Sequence, residues 1–170
     1  MPAEVIEHLR RHHVITLSTT SFTGVPHADT VVYASDSHSI FFFVGAGTQL
    51  LLNIQDCRRV SFTIDDYTAD WRKARELQGV GRCAPATAGQ HAAAWPLYVA
   101  KFGPGCARPP GLIHAIVPAV MQFVDYHHTA AARQPAPICR TFRIEDAVAS
   151  GHGGAAAASL GGLTCQPGDV

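Results

Sequence analysis

Two groups of residues in this chain could do chemistry. The first is "GAGTQ", Gly45 to Gln49, set between the apolar run "SIFFFV" and the amphipathic run "LLLNIQ". Glycines at 45 and 47 let the backbone turn sharply, and Thr48 and Gln49 bring polar side chains to a helix start. Successive backbone N–H groups in such a turn can cradle an anion such as a phosphate. The same pattern also serves as a plain joint between a buried strand and a helix, and both readings stay open here. No lysine or arginine lies from Ser39 to Gln55, and "GAG" lacks the third glycine of a dinucleotide fingerprint. The second group is the histidines, ten in all, whose imidazoles carry protons near neutral pH and ligate metals. His12 and His13 end an N-terminal helical pattern and suit a cap on its dipole. His114, His127 and His128 lie farther along, in a stretch of mixed pattern.

Other chemistries lack their signatures. There is no H-E-x-x-H, G-x-S-x-G or P-loop, so zinc hydrolysis, serine hydrolysis and nucleotide phosphoryl transfer are unsupported. The five cysteines are scattered with no C-x-x-C, which speaks against a zinc ribbon or a dithiol motif. Lys+Arg and Asp+Glu balance at 13 each, so no overall field draws nucleic acid or an anionic membrane. Charged residues make up only 15% of the 170, against 47% apolar, and that apolar surplus points to a subunit interface. The N-terminal "MPAEVIEHLRRHH" has no apolar core, and "GLIHAIVPAVMQFV" is too short and interrupted to span a bilayer. A cytoplasmic protein is expected.

The elements that must position these residues follow from periodicity. Residues 3 to 12 read as an amphipathic helix with Val5, Ile6 and Leu9 on one face. "HVITLSTTSFTGVPHADTVVYAS" reads as a hairpin turning at Gly24 and Pro26. In its second strand Thr30 and Val32 share one face, with Asp29 and Val31 on the other. "SIFFFVG" is a third strand, "TQLLLNIQDC" a helix, and "RRVSFTIDD" a fourth strand with Val60, Phe62 and Ile64 alternating. "RELQGVGRCAPATA" is a fifth strand bent at Gly79 and Gly81, and "AGQHAAAWPLYVAKF" a helix kinked or split by Pro96. Residues 112 to 134 read as a helix followed by a histidine-containing loop, and "APICRTFRIEDAVAS" as a last strand. The result is a mainly β, antiparallel barrel with helices packed outside it. Residues 1–150 form one domain, and 151–170, rich in small residues, a flexible tail.

In their order, three of these stretches resemble the pyridoxamine 5′-phosphate oxidase-like, FMN-binding split-barrel family. They are "HVITLSTTSFTGVPHADTVVYASD", "SIFFFVGAGTQLLLNIQDCRRVSFTI" and "ARELQGVGRCAPATAGQHAAAWPLYVAKFG". The resemblance covers roughly residues 3 to 103 and, more loosely, 136 to 148. It implies a split β-barrel and a homodimer with FMN at the subunit interface, the flavin doing redox chemistry on a small molecule. In some branches a deazaflavin or haem takes the flavin's place.

Carried over position by position, the resemblance assigns Thr30, Val31, Val32, Val44, Gly45, Gly47, Thr48, Gln49 and Gln78 to the cofactor. Typical members grip the phosphate with a basic residue on the second strand, another at its end, and an S-R-K-like turn. Here those positions hold Ala28, Tyr33 and the triplet Thr48, Gln49, Leu50. Only the Thr48 hydroxyl survives. Backbone N–H groups of Gly45 to Gln49, Arg58 or Arg59, or Arg72, Lys73 and Arg75 are the candidates to compensate. No catalytic acid or base stands out. In a haem-binding split barrel the axial ligand would come from His114, His127 or His128, placed outside the standard barrel. A non-catalytic interaction module is the third alternative.

Overall fold

The computed structural model describes residues 1–66, 68–126 and 138–143. β1 (Val14–Thr20) and β2 (Pro26–Ser35) form the expected hairpin. Its turn places Gly24 at φ +82, and the Ser21 hydroxyl accepts from the Val25 N–H. At the next turn the Asp36 carboxylate accepts from the N–H groups of His38 and Ser39, and β3 (Ile40–Val44) follows. Then come α2 (Gln49–Asp56), β4 (Arg59–Asp66), a 3-10 turn at Trp71–Lys73, and β5 (Arg75–Pro85). α3 (Ala88–Phe102) runs through Pro96 as one helix and opens on a Thr87–Gln90 capping box. α1 (Ala3–Arg11) precedes the hairpin.

All ladders are antiparallel, in the order β3-β2-β1-β4-β5, followed by β6 (Leu112–Asp125) and β7 (Ile138–Arg143). β6 also pairs with β3, which closes six strands into a barrel. β7 lies along the far half of β6. The reading of 112 to 134 as a helix followed by a histidine-containing loop is therefore corrected for 112–125, which is the sixth barrel strand. Its pattern hides because 113–116 are covered on both faces, Ile113 and Ala115 under α3 and Ile116 in the core, and because the register shift at Pro118 then changes the alternation, so that Met121 and Phe123 face the core. A strand buried on both sides reads as a continuous apolar run, which periodicity cannot tell from a buried helix. Pro118 is tolerated at a register shift opposite Val80 and Gly81, where the ladder is already broken.

Inside the barrel Ile15, Leu17, Tyr33, Phe42, Phe62, Ile64 and Leu77 make one core. α1 closes one end with Val5 and Leu9, and α2 closes the other with Leu50 and Ile54. α3 packs outside, setting Ala94 and Tyr98 on Phe41 and Phe43 of β3. His12 caps α1 as expected, its Nδ1 donating to the His8 carbonyl at 2.9 Å. A second carbonyl at that helix end, Leu9, accepts from the Tyr33 hydroxyl at 2.9 Å and from Lys101 Nζ at 3.0 Å. The Lys101 ammonium also stands 3.5 Å above the Tyr33 ring, so α1, β2 and α3 meet at one point.

Gly79 shows how tightly the interior is filled. A Cβ there would stand 2.3 Å from Phe62 Cζ, because the Phe62 ring lies across the glycine. Gly79→Ala should cost about 1–3 kcal/mol by overpacking. Urea denaturation should show part of that loss recovered in the double variant with Phe62→Leu.

Lys101 sets a pH dependence of stability. Burial pushes its ammonium down to about 7 in the folded protein, against 10.5 ordinarily. Between those values the unfolded chain binds more protons, so stability rises with pH. Below about 7 both states are protonated and that gain is absent. Compared across this window, the urea midpoint of the wild type should climb more steeply with pH than that of Lys101→Met.

Candidate functional site

β2 and β3 pair only at Tyr33–Phe42, Ala34–Phe41 and Ser35–Ile40. If that register continued, Val32 would face Phe43, Val31 would face Val44, and Thr30 would face Gly45. Instead β2 stays with β1 back to Pro26, while β3 stays with β6 out to Val44–Leu112. The two strands part, and the sheet has a split. The Tyr98 hydroxyl stands at the fork, 2.9 Å from the Val32 carbonyl and 3.1 Å from that of Phe41. Burial pushes the Tyr98 phenol up, so it stays neutral and remains a donor. Five of the residues expected at a cofactor, Thr30, Val31, Val32, Val44 and Gly45, thus form the two lips of this split. Thr30 and Val32 are exposed, whereas Val31 turns inward onto the core.

Next to the β3 lip lies the glycine turn. Gly47 has φ +75, a conformation that any side chain would strain. Thr48 is the N-cap of α2: its Oγ1 accepts from the Leu51 N–H at 3.2 Å and donates to the Gly45 carbonyl at 2.9 Å. Gln49 donates to Asn53 Oδ1 at 2.7 Å, and the fully buried Asn53 donates to Thr19 at 2.9 Å. That chain ties the Gln49 side chain to its own helix and to β1. The N–H groups of Gln49 and Leu50 have no intrahelical acceptor, and residues 46–49 are exposed. The turn therefore presents backbone donors to solvent and carries no charge of its own.

Gln78 lies apart from this turn. It sits on the outer face of the barrel, in a row running Thr30, Thr16, Thr63, Gln78, Gln122 and Thr141 across six strands. Three strand spacings separate Thr30 from Gln78, roughly 14 Å. The row is uncharged. Its neighbour, Ala28, Ser18, Ser61, Val80 and Val120, is uncharged as well until it reaches Arg143 on β7.

The basic candidates divide between the two ends of the barrel. Arg58 and Arg59 lie at the α2 end, where β4 begins. Arg72, Lys73 and Arg75 lie at the α1 end, away from the glycine turn, and Arg72 and Arg75 pair there with Asp70 and Asp125. His114 is not outside the barrel, as expected, but on β6 within it. Its ring is walled in at 1% exposure, 6.2 Å from that of Phe42. Burial lowers its pKa, which favours the neutral ring. His127, His128 and residues 151–170 lie outside the described residues. Among the described residues no three His, Cys, Asp or Glu side chains gather into a metal cluster. No described helix is long and apolar enough to cross a membrane.

Three contributors escaped the reading of the sequence. Tyr98 carried no signal, since nothing in "WPLYVAKF" says which strands it meets. Gly111, at φ +112, lies so flat on the β3 lip that a Cβ would stand 2.1 Å from the Val44 carbonyl. Asp29 faces into the barrel mouth beside the β2 lip. His27 Nε2 is 3.2 Å from Asp29 Oδ2 but out of line, leaving that buried oxygen without a donor.

Known structures share this fold. The haem storage protein HutZ from Vibrio cholerae superposes with a TM-score of 0.57 at 12% identity, over 68% of this chain and 87% of that one. A haem-binding protein from Mycobacterium smegmatis gives 0.62 at 17%, over 88% of this chain and 62% of that one, so the chain spans about three fifths of that protein. An FAD-binding protein from Mesorhizobium loti gives 0.55 at 19%, over 71% and 92%. At these identities the likeness is one of fold. No curated protein matches the sequence. Residues 1–121 match the family model described as pyridoxamine 5′-phosphate oxidase, and the chain belongs to that family.

Proposed function

We propose that the split binds FMN, and that the protein is a flavin-dependent oxidoreductase acting on a small molecule as a homodimer. The observation that carries this reading is the split itself. Residues matched to the family's cofactor contacts line both lips, beside a solvent-open turn of backbone donors. A phosphate suits that turn, which offers N–H groups at a helix start, with Thr48 as its cap. An N–H-bearing ring edge suits Asp29, whose buried oxygen lacks a donor. FMN, when bound, supplies hydride or electron transfer. The chain's own part is to orient the ring between the lips and to keep water from it.

The second copy enters through the uncharged outer face. Thr30 and Gln78 of one barrel are roughly 14 Å apart. Laying a second barrel over the row brings its Gln78 to the first one's β2 lip, which makes the site a shared one. The low overall charge fits a face of this kind. Introducing a charge by Thr63→Arg should shift the dimer to monomer and release the flavin with it. Analytical ultracentrifugation reads the first effect, and a Thr63→Arg dimer as tight as the wild type would refute this interface.

Haem is the second reading, and two haem proteins with this fold are its support. His114 is poorly suited as its ligand, because it is enclosed beside Phe42. One visible spectrum of the purified protein separates the readings: flavin bands support the first, a Soret band the second, and a blank trace a cofactor-free module. If flavin is bound, Thr48→Val should weaken it by about three- to tenfold, with Thr48→Ser close to wild type. Equal affinity in all three would remove Thr48 from the site.

A further inference from the structure

The glycine turn offers donors without charge, yet a phosphate dianion held by N–H groups alone leaves most of its charge unbalanced. The loop between α3 and β6 brings a cation to the place. It leaves α3 at Gly103, φ +92, and ends at Gly111, which lies so close to the Val44–Gly45 peptide that a Cβ would stand 2.1 Å from the Val44 carbonyl oxygen and 3.0 Å from the Gly45 nitrogen. Three residues before that contact stands Arg108. Its guanidinium carbon is 5.7 Å from the centre of the Phe43 ring and 5.8 Å from that of Trp95. Its Nη2 donates to His91 Nε2 at 3.2 Å.

The seat of this exposed arginine is built of rings rather than carboxylates. Arg11, Arg72, Arg75 and Arg140 each pair with a carboxylate, on Asp66, Asp70, Asp125 and Glu4. Arg108 pairs with none among the described residues. Two aromatic faces and an imidazole hold it instead, and none of these neutralises its charge. The guanidinium is thereby positioned with N–H groups to spare, and it is exposed to solvent. Phe43 precedes the turn by two residues, a reach of at most about 7 Å. One side of Arg108 is thus fastened to the strand that enters the turn, and its loop to the turn's first peptide.

We propose that Arg108 takes the place of the missing basic residues at Gln49 and Leu50, and binds the phosphate monoester of the ligand held in the split. This rests on the flavin reading above and adds to it the source of the positive charge. Backbone N–H groups of the turn take one side of the phosphate, and the Arg108 fork takes the other.

Comparing FMN with riboflavin, which has the same ring and no phosphate, tests this by flavin fluorescence titration. In the wild type FMN should bind more tightly than riboflavin. Arg108→Gln should weaken FMN by about tenfold or more and leave riboflavin unchanged. Inorganic phosphate should compete with FMN in the wild type and much less in Arg108→Gln. A thermal melt of Arg108→Gln matching the wild type establishes that the loop and α3 remain in place. Equal loss of both flavins would make Arg108 a loop staple and overturn the proposal. So would an unchanged preference for FMN in Arg108→Gln, or a wild type indifferent to the phosphate. A wild type that binds neither flavin defeats the flavin reading itself, and the assignment of Arg108 with it.

Discussion

The parting of β2 from β3 after the Tyr33–Phe42 pair is the constraint on which the rest of the structure depends. A sheet edge exposed in this way leaves backbone groups unpaired, which is costly unless something answers them. Here β3 keeps its full ladder to β6 on its other edge, and the Tyr98 hydroxyl meets the carbonyls at the fork. α3 must therefore lie where it does, with Tyr98 over the fork and Phe41 and Phe43 beneath it. The helix that holds the split open also covers the outer face of the strand that forms one lip. Closing the split by zipping β2 to β3 would take the Val32 carbonyl from the Tyr98 hydroxyl that now bridges the fork.

Much of this was legible in the sequence. The hairpin, β3, α2, β4 and β5 each carried their own local pattern: alternation at Val60, Phe62 and Ile64, an N-cap at Thr48, and turn chemistry at Gly24 and Asp36. The barrel's closure was not, because it runs through β6. That strand's first half is covered on one side by α3 and on the other by the core, and the bulge shifts the alternation of its second half, so it shows neither a steady alternation nor a helical stripe. Pro118 sharpened the impression of a break, and a strand reading needed the bulge opposite Gly81, a relation between elements 37 residues apart. The misplacement of His114 followed directly from this.

The site divides in the same way. Thr30, Val31, Val32, Val44 and Gly45 come together as two lips, because order along the chain was enough to match them to a fold. Gln78 does not join them within the barrel, since a position on a strand says nothing of how many strands separate it from the split. Asp29, Tyr98 and Gly111 were invisible because their roles are set by what approaches them from elsewhere. Gly111 is the sharpest case. A turn glycine by its sequence context, it is in fact the contact that fixes a loop against the β3 lip.

The shared carbonyl of Leu9 has a consequence for how the chain is made. α1 is synthesised before the elements that anchor it: Tyr33 lies 24 residues on, Lys101 92, and the Glu4 partner Arg140 136. At ribosomal speeds the interval to Lys101 is on the order of 5–20 s. Through that interval Val5 and Leu9 have no finished barrel end to cover, and the barrel end has no lid. The helix is thus fixed long after it emerges, and the nascent chain carries an apolar helix face in the open until α3 and β6 arrive.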